Sequence, residues 1–461
     1  MENTREIILE ALLELEKEEV FSNVLIGRIL EKYDYLPQPE KAFIKRVTEG
    51  TVERRIELDH IIGQFSSVPV PKMKPFIRQL MRMSVYQLFY MSAVPDSAVC
   101  NEAVRLARKR HFQSLSGFVN GVLRNIARNK EDIVWPDPEK DWLKAVSVRY
   151  SMPEFLTGLW ERDYGRVQTE SMCQALLEVK SVSLRMSETL SEKEQEELAE
   201  RWRKAGIVCE RHPYLPYAWR CKNVAGLYRL PGFSEGLVTV QDVSSMLVGE
   251  CAGIKEGDFV LDVCAAPGGK SLHASCKIGG SGRVEARDLS EEKAELILEA
   301  VRRTKAEQVD VKVWDACVYD QEMEGKADVL YLDLPCSGLG ILGKKRDIKY
   351  HVTKESLEEL VKLQRRIIET CWRYVKPGGV ILYSTCTIHR EENEEQVRWM
   401  CGEFPLVPES LNLYLPKELR CEAAGSGMLQ LTPGVHDCDG FFLARLRRQE
   451  RGGASSAVQK R

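Results

Sequence analysis

Two cysteines stand at matching places in the chain: Cys336 in Asp333-Leu-Pro-Cys-Ser-Gly338 and Cys386 in Tyr383-Ser-Thr-Cys-Thr387. Each follows an apolar run that reads as a buried strand. A cysteine near a strand end is most often a small buried hydrophobe. Two of them beside a ligand-binding loop point instead to covalent chemistry on a pyrimidine. Carbon-5 of such a ring is too weak a nucleophile to attack a methyl sulfonium. A thiolate adding to carbon-6 makes carbon-5 electron-rich, so that it takes the methyl group; loss of the carbon-5 proton then permits elimination of the thiol. Only the thiolate is effective, so its proton must leave or its pKa must fall locally. Asp333 is placed to hydrogen-bond or share a proton at the ring nitrogen, which favours the addition. On spacing alone either cysteine could attack.

The loop beside them begins where an apolar strand carrying Asp262 runs into Cys264, Ala265, Ala266, Pro267, Gly268, Gly269 and Lys270, with a helix-like segment from about Ser271. Small residues let backbone amides approach a ligand, and the helix N-terminus favours a carboxylate or phosphate. Gly269-Lys270-Ser271 also mimics the end of a nucleoside-triphosphate loop. That motif requires glycine five positions before Gly269, where this chain has Cys264. The bland alternative is a structural turn. Acidic residues then recur at successive strand ends: Asp288, Asp315 and Asp333. Ligands in parallel sheets sit at those ends. Asp288, 26 residues beyond Asp262, is placed to accept hydrogen bonds from a ribose, and Asp315 to reach an adenine amino group. A lone acidic residue there usually caps a turn; three in register favour a ligand.

Positioning these residues requires a sheet, and the chain supplies one late. Through about Asn129 the apolar spacing is helical, as in Ile7, Ile8, Ala11, Leu12 and Leu15. Val134-Trp-Pro-Asp-Pro138 then breaks the pattern, since two prolines fix the backbone and remove two amide donors. A small α+β module follows, with a strand at Val182 to Arg185 and a capping box of Ser191 and Glu194 opening a charged helix. Beyond Pro231-Gly232, strand and helix patterns alternate, predicting an α/β Rossmann-like domain with a parallel sheet. Its strands are Phe259 to Val263, Val284 to Ala286, Val311 to Trp314, Val329 to Asp333 and Val380 to Ser384. Ser356 and Glu359 read as a capping box opening a helix that stops at Lys376-Pro-Gly-Gly379. The expected division is an all-α domain over 1–130, the α+β module over 140–235, the α/β domain over 236–448 and a flexible tail over 449–461.

The 461 residues, 44% hydrophobic and 29% charged, fit a multidomain globular protein and argue against disorder. A formal charge of −3 neither supports nor excludes nucleic acid, so phosphate contacts would fall to local patches: Arg108-Lys-Arg-His111, Arg302-Arg303 and Lys344-Lys-Arg346. Fourteen cysteines occur without one C-x-x-C pair, so no structural zinc or other metal is expected. Neither a signal peptide nor a membrane-spanning apolar run is legible, and the expected setting is a reducing cytoplasm with free thiols.

At its motifs the sequence resembles the Sun-related (NSUN) family of RNA cytosine-5 methyltransferases. Asp262-Val-Cys-Ala-Ala-Pro-Gly-Gly-Lys270 resembles the family's cofactor motif, and Asp333-Leu-Pro-Cys336 and Ser384-Thr-Cys386 its two cysteine motifs. Gln241-Asp-Val-Ser-Ser245, Glu391-Glu-Asn393 and Asp439-Gly-Phe-Phe442 are similar as well. One departure is Leu334, where the family usually has alanine. The first ~130 residues resemble the helical antitermination factor NusB, an RNA-binding fold, and Val182 to Arg185 resembles the family's ferredoxin-like or RRM-like module. The resemblance implies S-adenosyl-L-methionine as cofactor, bound by Cys264 to Lys270 with Asp288, Asp315 and Asp333. It implies Cys386 as nucleophile and Cys336 as the residue that assists product release. It also implies 16S ribosomal RNA as partner, met before subunit assembly is complete, and a monomer with no membrane partner. Because the base must leave its stack, single-stranded or loop RNA is the easier substrate. Two other readings remain: the same chemistry on transfer RNA or DNA, where DNA enzymes use the Pro-Cys cysteine, or a non-catalytic RNA-binding assembly factor.

Overall fold

The computed structural model describes residues 3–17, 21–178, 181–224 and 226–450. The expected tail therefore lies, from residue 451 on, outside the described residues. Two compact units are formed: Met1–Glu178 with Leu342–His351, and Val179–Ile341 with Val352–Arg461.

The first unit is helical. Its centre is the helix Pro75–Tyr90, which buries residues on nearly every side, including Leu80, Met81, Met83, Val85 and Leu88. A helix apolar all round belongs inside a bundle. Its polar residues are satisfied within that core: Ser84 donates to the Leu80 carbonyl at 2.7 Å, and Arg82 holds Asp59 through two bonds of 2.7 and 2.6 Å. Helices Thr4–Lys17, Gln38–Glu53, Arg55–Phe65, Asp96–Lys109 and Ser116–Arg128 pack around it. Helices Trp142–Tyr150 and Glu154–Leu177 also fall in this unit, although the sequence pattern assigned residues from 140 onward to the middle module. Packing, which composition does not reveal, decides their place. Trp142–Tyr150 packs on Arg55–Phe65, and the Ser151 hydroxyl accepts from the Ile56 amide at 2.9 Å. The segment Leu342–His351 is held there as well: Arg346 pairs with Glu49 and Glu53, and Lys349 Nζ donates to the Glu53 carbonyl at 2.8 Å.

The second unit holds two sheets. Strands β1 (Val182–Met186), β2 (Val208–Arg211), β3 (Ala218–Lys222) and β4 (Val238–Val240) form an antiparallel sheet in the order β2-β3-β1-β4. That is the ferredoxin-like arrangement. Its second crossover helix is reduced to the 3-10 turn Leu227–Arg229. The helix Glu192–Lys204 covers the sheet through Leu198, Ala199 and Trp202, and Trp202 meets Trp219 edge-on at 5.9 Å. This helix opens on the expected box: the Ser191 amide donates to Glu194 Oε2 at 2.8 Å, and the Ser191 hydroxyl accepts from the Glu194 amide at 3.4 Å. Ser191→Ala is expected to cost about 1 kcal/mol, read as a lowered urea midpoint with an unchanged slope.

The larger sheet comprises β5 (Phe259–Asp262), β6 (Arg283–Asp288), β7 (Val309–Val313), β8 (Ala327–Asp333), β9 (Val375–Thr385), β10 (Leu406–Pro408), β11 (Met428–Leu431) and β12 (Phe441–Arg448). Its order is β10-β12-β9-β8-β5-β6-β7, with β11 on β12. Strands β5 to β9 run parallel, and β12 lies antiparallel to β9. Separate apolar cores cover its two faces, one around Val260, Ala286 and Leu382, the other around Leu261, Leu330 and Ile381. Burial on both sides explains why these strands read as continuous apolar runs.

Two expectations are corrected here. The helix over 354–371 is capped by Thr353, with Ser356 as the third-residue partner rather than the cap. It ends at Cys371 and passes through a 3-10 turn, so Lys376-Pro-Gly-Gly379 is no helix stop but the start of β9. A register shift absorbs those residues: Ala327 pairs with Val375, whereas Val329 pairs with Val380. Gly378, at φ +77°, supplies the conformation that a bulge needs.

Candidate active site

The strand order reverses between β5 and β8, since β6 and β7 lie to one side of β5 and β9 to the other side of β8. A crevice opens at such a switch point, beyond the carboxyl ends. Residues from the ends of β5, β6, β8 and β9 converge on it.

The loop after β5 is held from beneath. The Ala265 amide donates to the Arg287 carbonyl at 2.8 Å, and the Ala266 amide to Asp288 Oδ2 at 2.9 Å. Gly268 turns the chain at φ +98°, where a β-carbon would press on Ile297, and the helix Gly269–Ser275 begins at once. Under it Asp262 is fully buried. Its Oδ2 accepts from Ser271 Oγ at 2.7 Å, its Oδ1 has no hydrogen-bond partner, and burial pushes its pKa up to about 7. Beside Gly269 lies the buried side chain of Gln241, neither end of whose amide is partnered. Orphaned polar atoms along a loop of small residues suit a polar ligand carrying both donors and acceptors.

Asp333 closes the end of β8. Its Oδ2 meets Lys270 Nζ at 2.6 Å and its Oδ1 accepts from Ser384 Oγ at 2.6 Å, which links the loop, β8 and β9. Burial works against the charge on Lys270, but Asp333 outweighs it and the ammonium is held above its usual pKa. Beyond Asp333, the Sγ atoms of Cys336 and Cys386 stand 3.1 Å apart, both half-buried. The hydrogen bond to Cys386, followed by burial, raises the Cys336 pKa well above the ordinary thiol value. The two sulfurs share that hydrogen bond, and either can be its donor.

The loops bearing the two thiols are fastened by a buried polar cluster. The Ser337 amide and Gln364 Nε2 both donate to Glu392 Oε2 at 2.9 Å, and the Ser337 and Thr387 hydroxyls meet at 2.7 Å. Gln364 also holds the Pro335 carbonyl at 2.9 Å. Asn393 Nδ2 reaches the Thr387 carbonyl at 3.0 Å, and its Oδ1 accepts from Thr385 Oγ1. The Gly340 amide donates to the Cys386 carbonyl at 3.0 Å, and the Gly440 amide to the Gly340 carbonyl at 2.9 Å. At this crossing, a β-carbon on Gly440 would lie 2.6 Å from the Gly340 Cα, and one on Gly340 would overlap the Gly440 carbonyl. Gly340→Ala should cost about 1–3 kcal/mol through this overlap, measurable as a lowered thermal midpoint.

The structure thus brings Cys264 to Lys270, Asp288, Asp333, Cys336 and Cys386 to one end of the sheet. Asp288 is spent on the backbone of the loop, through the amides of Ala266 and Leu289, and also meets Lys293 at 3.0 Å. Asp315 follows β7, exposed, with Oδ1 accepting from the Cys317 amide at 2.8 Å. Cys264 packs half-buried into the apolar core with its thiol pKa raised by burial. Sequence reasoning gave no role to Gln241, Ser337, Gln364 or Glu392. The only available signals were the Gln241-Asp and Glu391-Glu-Asn393 motifs. The basic patches are largely engaged within the protein: Lys109 and Arg110 with Glu6, Arg302 with Glu295, Arg346 with Glu49 and Glu53, and Arg303 with the Phe233 and Val238 carbonyls. None of the fourteen cysteines is in a disulfide, and among the described residues no helix is long and apolar enough to cross a membrane.

Known proteins share both the sequence and the fold. The family model described as 16S rRNA methyltransferase RsmB/F matches residues 252–447, and that of the NusB family matches residues 2–128. The probable ribosomal RNA small subunit methyltransferase B of Bacillus subtilis is 33% identical over 97% of this chain and 99% of its own length. The protein of the same description from Synechocystis is 30% identical over 97% and 100%. Among solved structures, PH0851 superposes with a TM-score of 0.80 at 23% identity, covering 97% of this chain and 99% of its own. NSun6 from Pyrococcus horikoshii, solved with SFG, gives 0.56 at 21% identity, covering 65% and 98%. These two show a shared fold.

Proposed function

The chain belongs to the ribosomal RNA small subunit methyltransferase B family, and from that premise we propose that it methylates carbon-5 of a cytosine in 16S ribosomal RNA through a covalent adduct with Cys386. The observation that carries this reading is the pair of thiols 3.1 Å apart at the crevice, sharing a hydrogen bond. S-adenosyl-L-methionine would supply an electrophilic methyl group. The loop Cys264 to Lys270, with Gln241, Asp262, Asp288, Asp315 and Asp333 around it, would hold that cofactor; the small residues and the orphaned atoms of Asp262 and Gln241 fit a ligand of its polarity.

In this proposal the protein's own groups take the following roles. Cys386 adds to carbon-6 of the base, forming the C–S bond that makes carbon-5 nucleophilic. Asp333, fixed by Lys270 and Ser384, would share a proton with the ring nitrogen and so favour the addition. After methyl transfer a base takes the carbon-5 proton, and the electron pair left behind breaks the C–S bond and returns the Cys386 thiolate. Cys336, the neighbouring proton carrier, assists this release.

The roles are separable by trapping. Cys336→Ala, incubated with S-adenosylmethionine and 16S RNA, should accumulate a protein–RNA adduct stable in denaturing gels, whereas Cys386→Ala should form none. The reverse pattern would exchange the two roles. Bisulfite sequencing of ribosomal RNA from cells with and without the protein tests the target, and an unchanged 16S map would remove that substrate while leaving the chemistry standing.

A further inference from the structure

The second unit contains a buried cation with no counter-charge assigned to it. Arg185 of β1 is only 5% exposed, its Nη1 has no hydrogen-bond partner, and it makes no ion pair among the described residues. Desolvating a guanidinium without a partner costs several kcal/mol, so such a group is expected to meet an anion. The nearby carboxylates bond to other groups, although Glu188, whose Oε1 has no hydrogen-bond partner, favours the Arg185 charge. Glu188 is held by Lys277 at 3.0 Å and faces His273 at 3.0 Å, and Glu250 is held by Lys277 at 2.7 Å and by the Tyr217 hydroxyl. Glu235 is paired with Arg201 at 2.7 Å.

Arg185 lines a cavity of about 450 Å³, together with Ser187, Ser275, Cys276, Thr304 and Lys305. Lys305 is exposed and sits in the left-handed conformation that ends the helix Glu291–Thr304. Cys276 follows the helix Gly269–Ser275, and Thr304 and Lys305 precede β7. These segments lie at the amino ends of the parallel strands, the opposite edge from the crevice. The cavity is therefore separate from the site of Cys336 and Cys386.

We propose that this cavity binds a phosphate group, with the Arg185 guanidinium as its buried fork and Lys305 as its charge at the mouth. A planar guanidinium pairs with two phosphate oxygens at once, and the volume lies in the range that takes a small ligand as large as a nucleoside monophosphate. The phosphate belongs either to a free nucleotide or phosphate ion or to the backbone of bound RNA. The cavity's chemistry is the same for both.

Cys276 gives a local readout, because it lines the cavity and is exposed, whereas Cys421 is exposed elsewhere. Alkylation of the full chain is followed by peptide mass spectrometry with inorganic phosphate, adenosine monophosphate or a single-stranded RNA oligonucleotide. A probe at ten times its dissociation constant should slow the reaction of Cys276 by about tenfold and leave Cys421 unchanged. Protection by phosphate or the nucleotide assigns a free ligand, and protection by RNA alone assigns the backbone. Arg185→Gln should abolish the protection. Lys305→Ala, at an exposed position that leaves the fold intact, should weaken it about threefold. Absence of protection by all three probes overturns the proposal. Equal protection in folded Arg185→Gln, or unchanged affinity in Lys305→Ala should the first variant fail to fold, overturns it too. None of these outcomes bears on the role of Cys386.

Discussion

Cys386→Ala should reduce methyl transfer to ribosomal RNA by about 10³-fold or more, equivalent to roughly 4 kcal/mol of lost transition-state stabilisation. Without the Cys386 thiol the proposed covalent bond to carbon-6 cannot form, and carbon-5 is left unactivated. The fold should survive, since Cys386 is half-buried and contributes to the loop mainly through its carbonyl, which accepts from the Gly340 amide. Tritium transfer from labelled S-adenosylmethionine, together with an unchanged thermal midpoint, checks both halves. A rate within about tenfold of the parent would defeat the nucleophile assignment.

Glu392→Leu should have the largest effect on stability, about 3–5 kcal/mol. The Glu392 carboxylate is wholly buried and accepts from the Ser337 amide, the Ser337 hydroxyl and Gln364, so its removal strands the Ser337 amide and one Gln364 N–H in a dry interior, while the Ser337 hydroxyl keeps Thr387. The same loss loosens the Cys336 loop, which stays joined to the Cys386 loop through Ser337 with Thr387 and through Gly340. Chemical denaturation should therefore show a lowered midpoint, and the surviving folded protein should transfer methyl groups slowly. Glu392→Gln keeps the shape and one acceptor, and it should recover part of the stability. Equal stability of the parent and Glu392→Leu would mean that water satisfies these donors.

Much of this site was legible in the sequence because its chemistry is local. Strand, small-residue turn and helix follow within a dozen positions from Phe259 to Ser271, and each cysteine directly follows its own strand, so periodicity and spacing sufficed. What could not be read depends on distant segments. Gln364 and Glu392 meet Ser337 across separate elements, and no pattern near any one of them announces the meeting. Lys376-Pro-Gly-Gly379 was misread because proline and glycine ordinarily stop an element, whereas a bulge against β8 lets the strand carry them. Ser356 and Glu359 have the spacing of a capping box, but the backbone places the cap three residues earlier, at Thr353. The prolines at 136 and 138 mark a turn in the chain, and the helices over 142–177 beyond it group with the first unit.

The ten residues Leu342–His351 belong to the helical unit yet are encoded after most of the parallel sheet. During synthesis the ribosome must add more than 160 further residues after Glu178 before Arg346 can reach Glu49 and Glu53. At typical elongation rates of about 5–20 residues per second, that is a wait on the order of ten to thirty seconds. The first unit made is thus among the last to be completed, and a chain released early, short of residue 342, would carry a helical unit without its final piece.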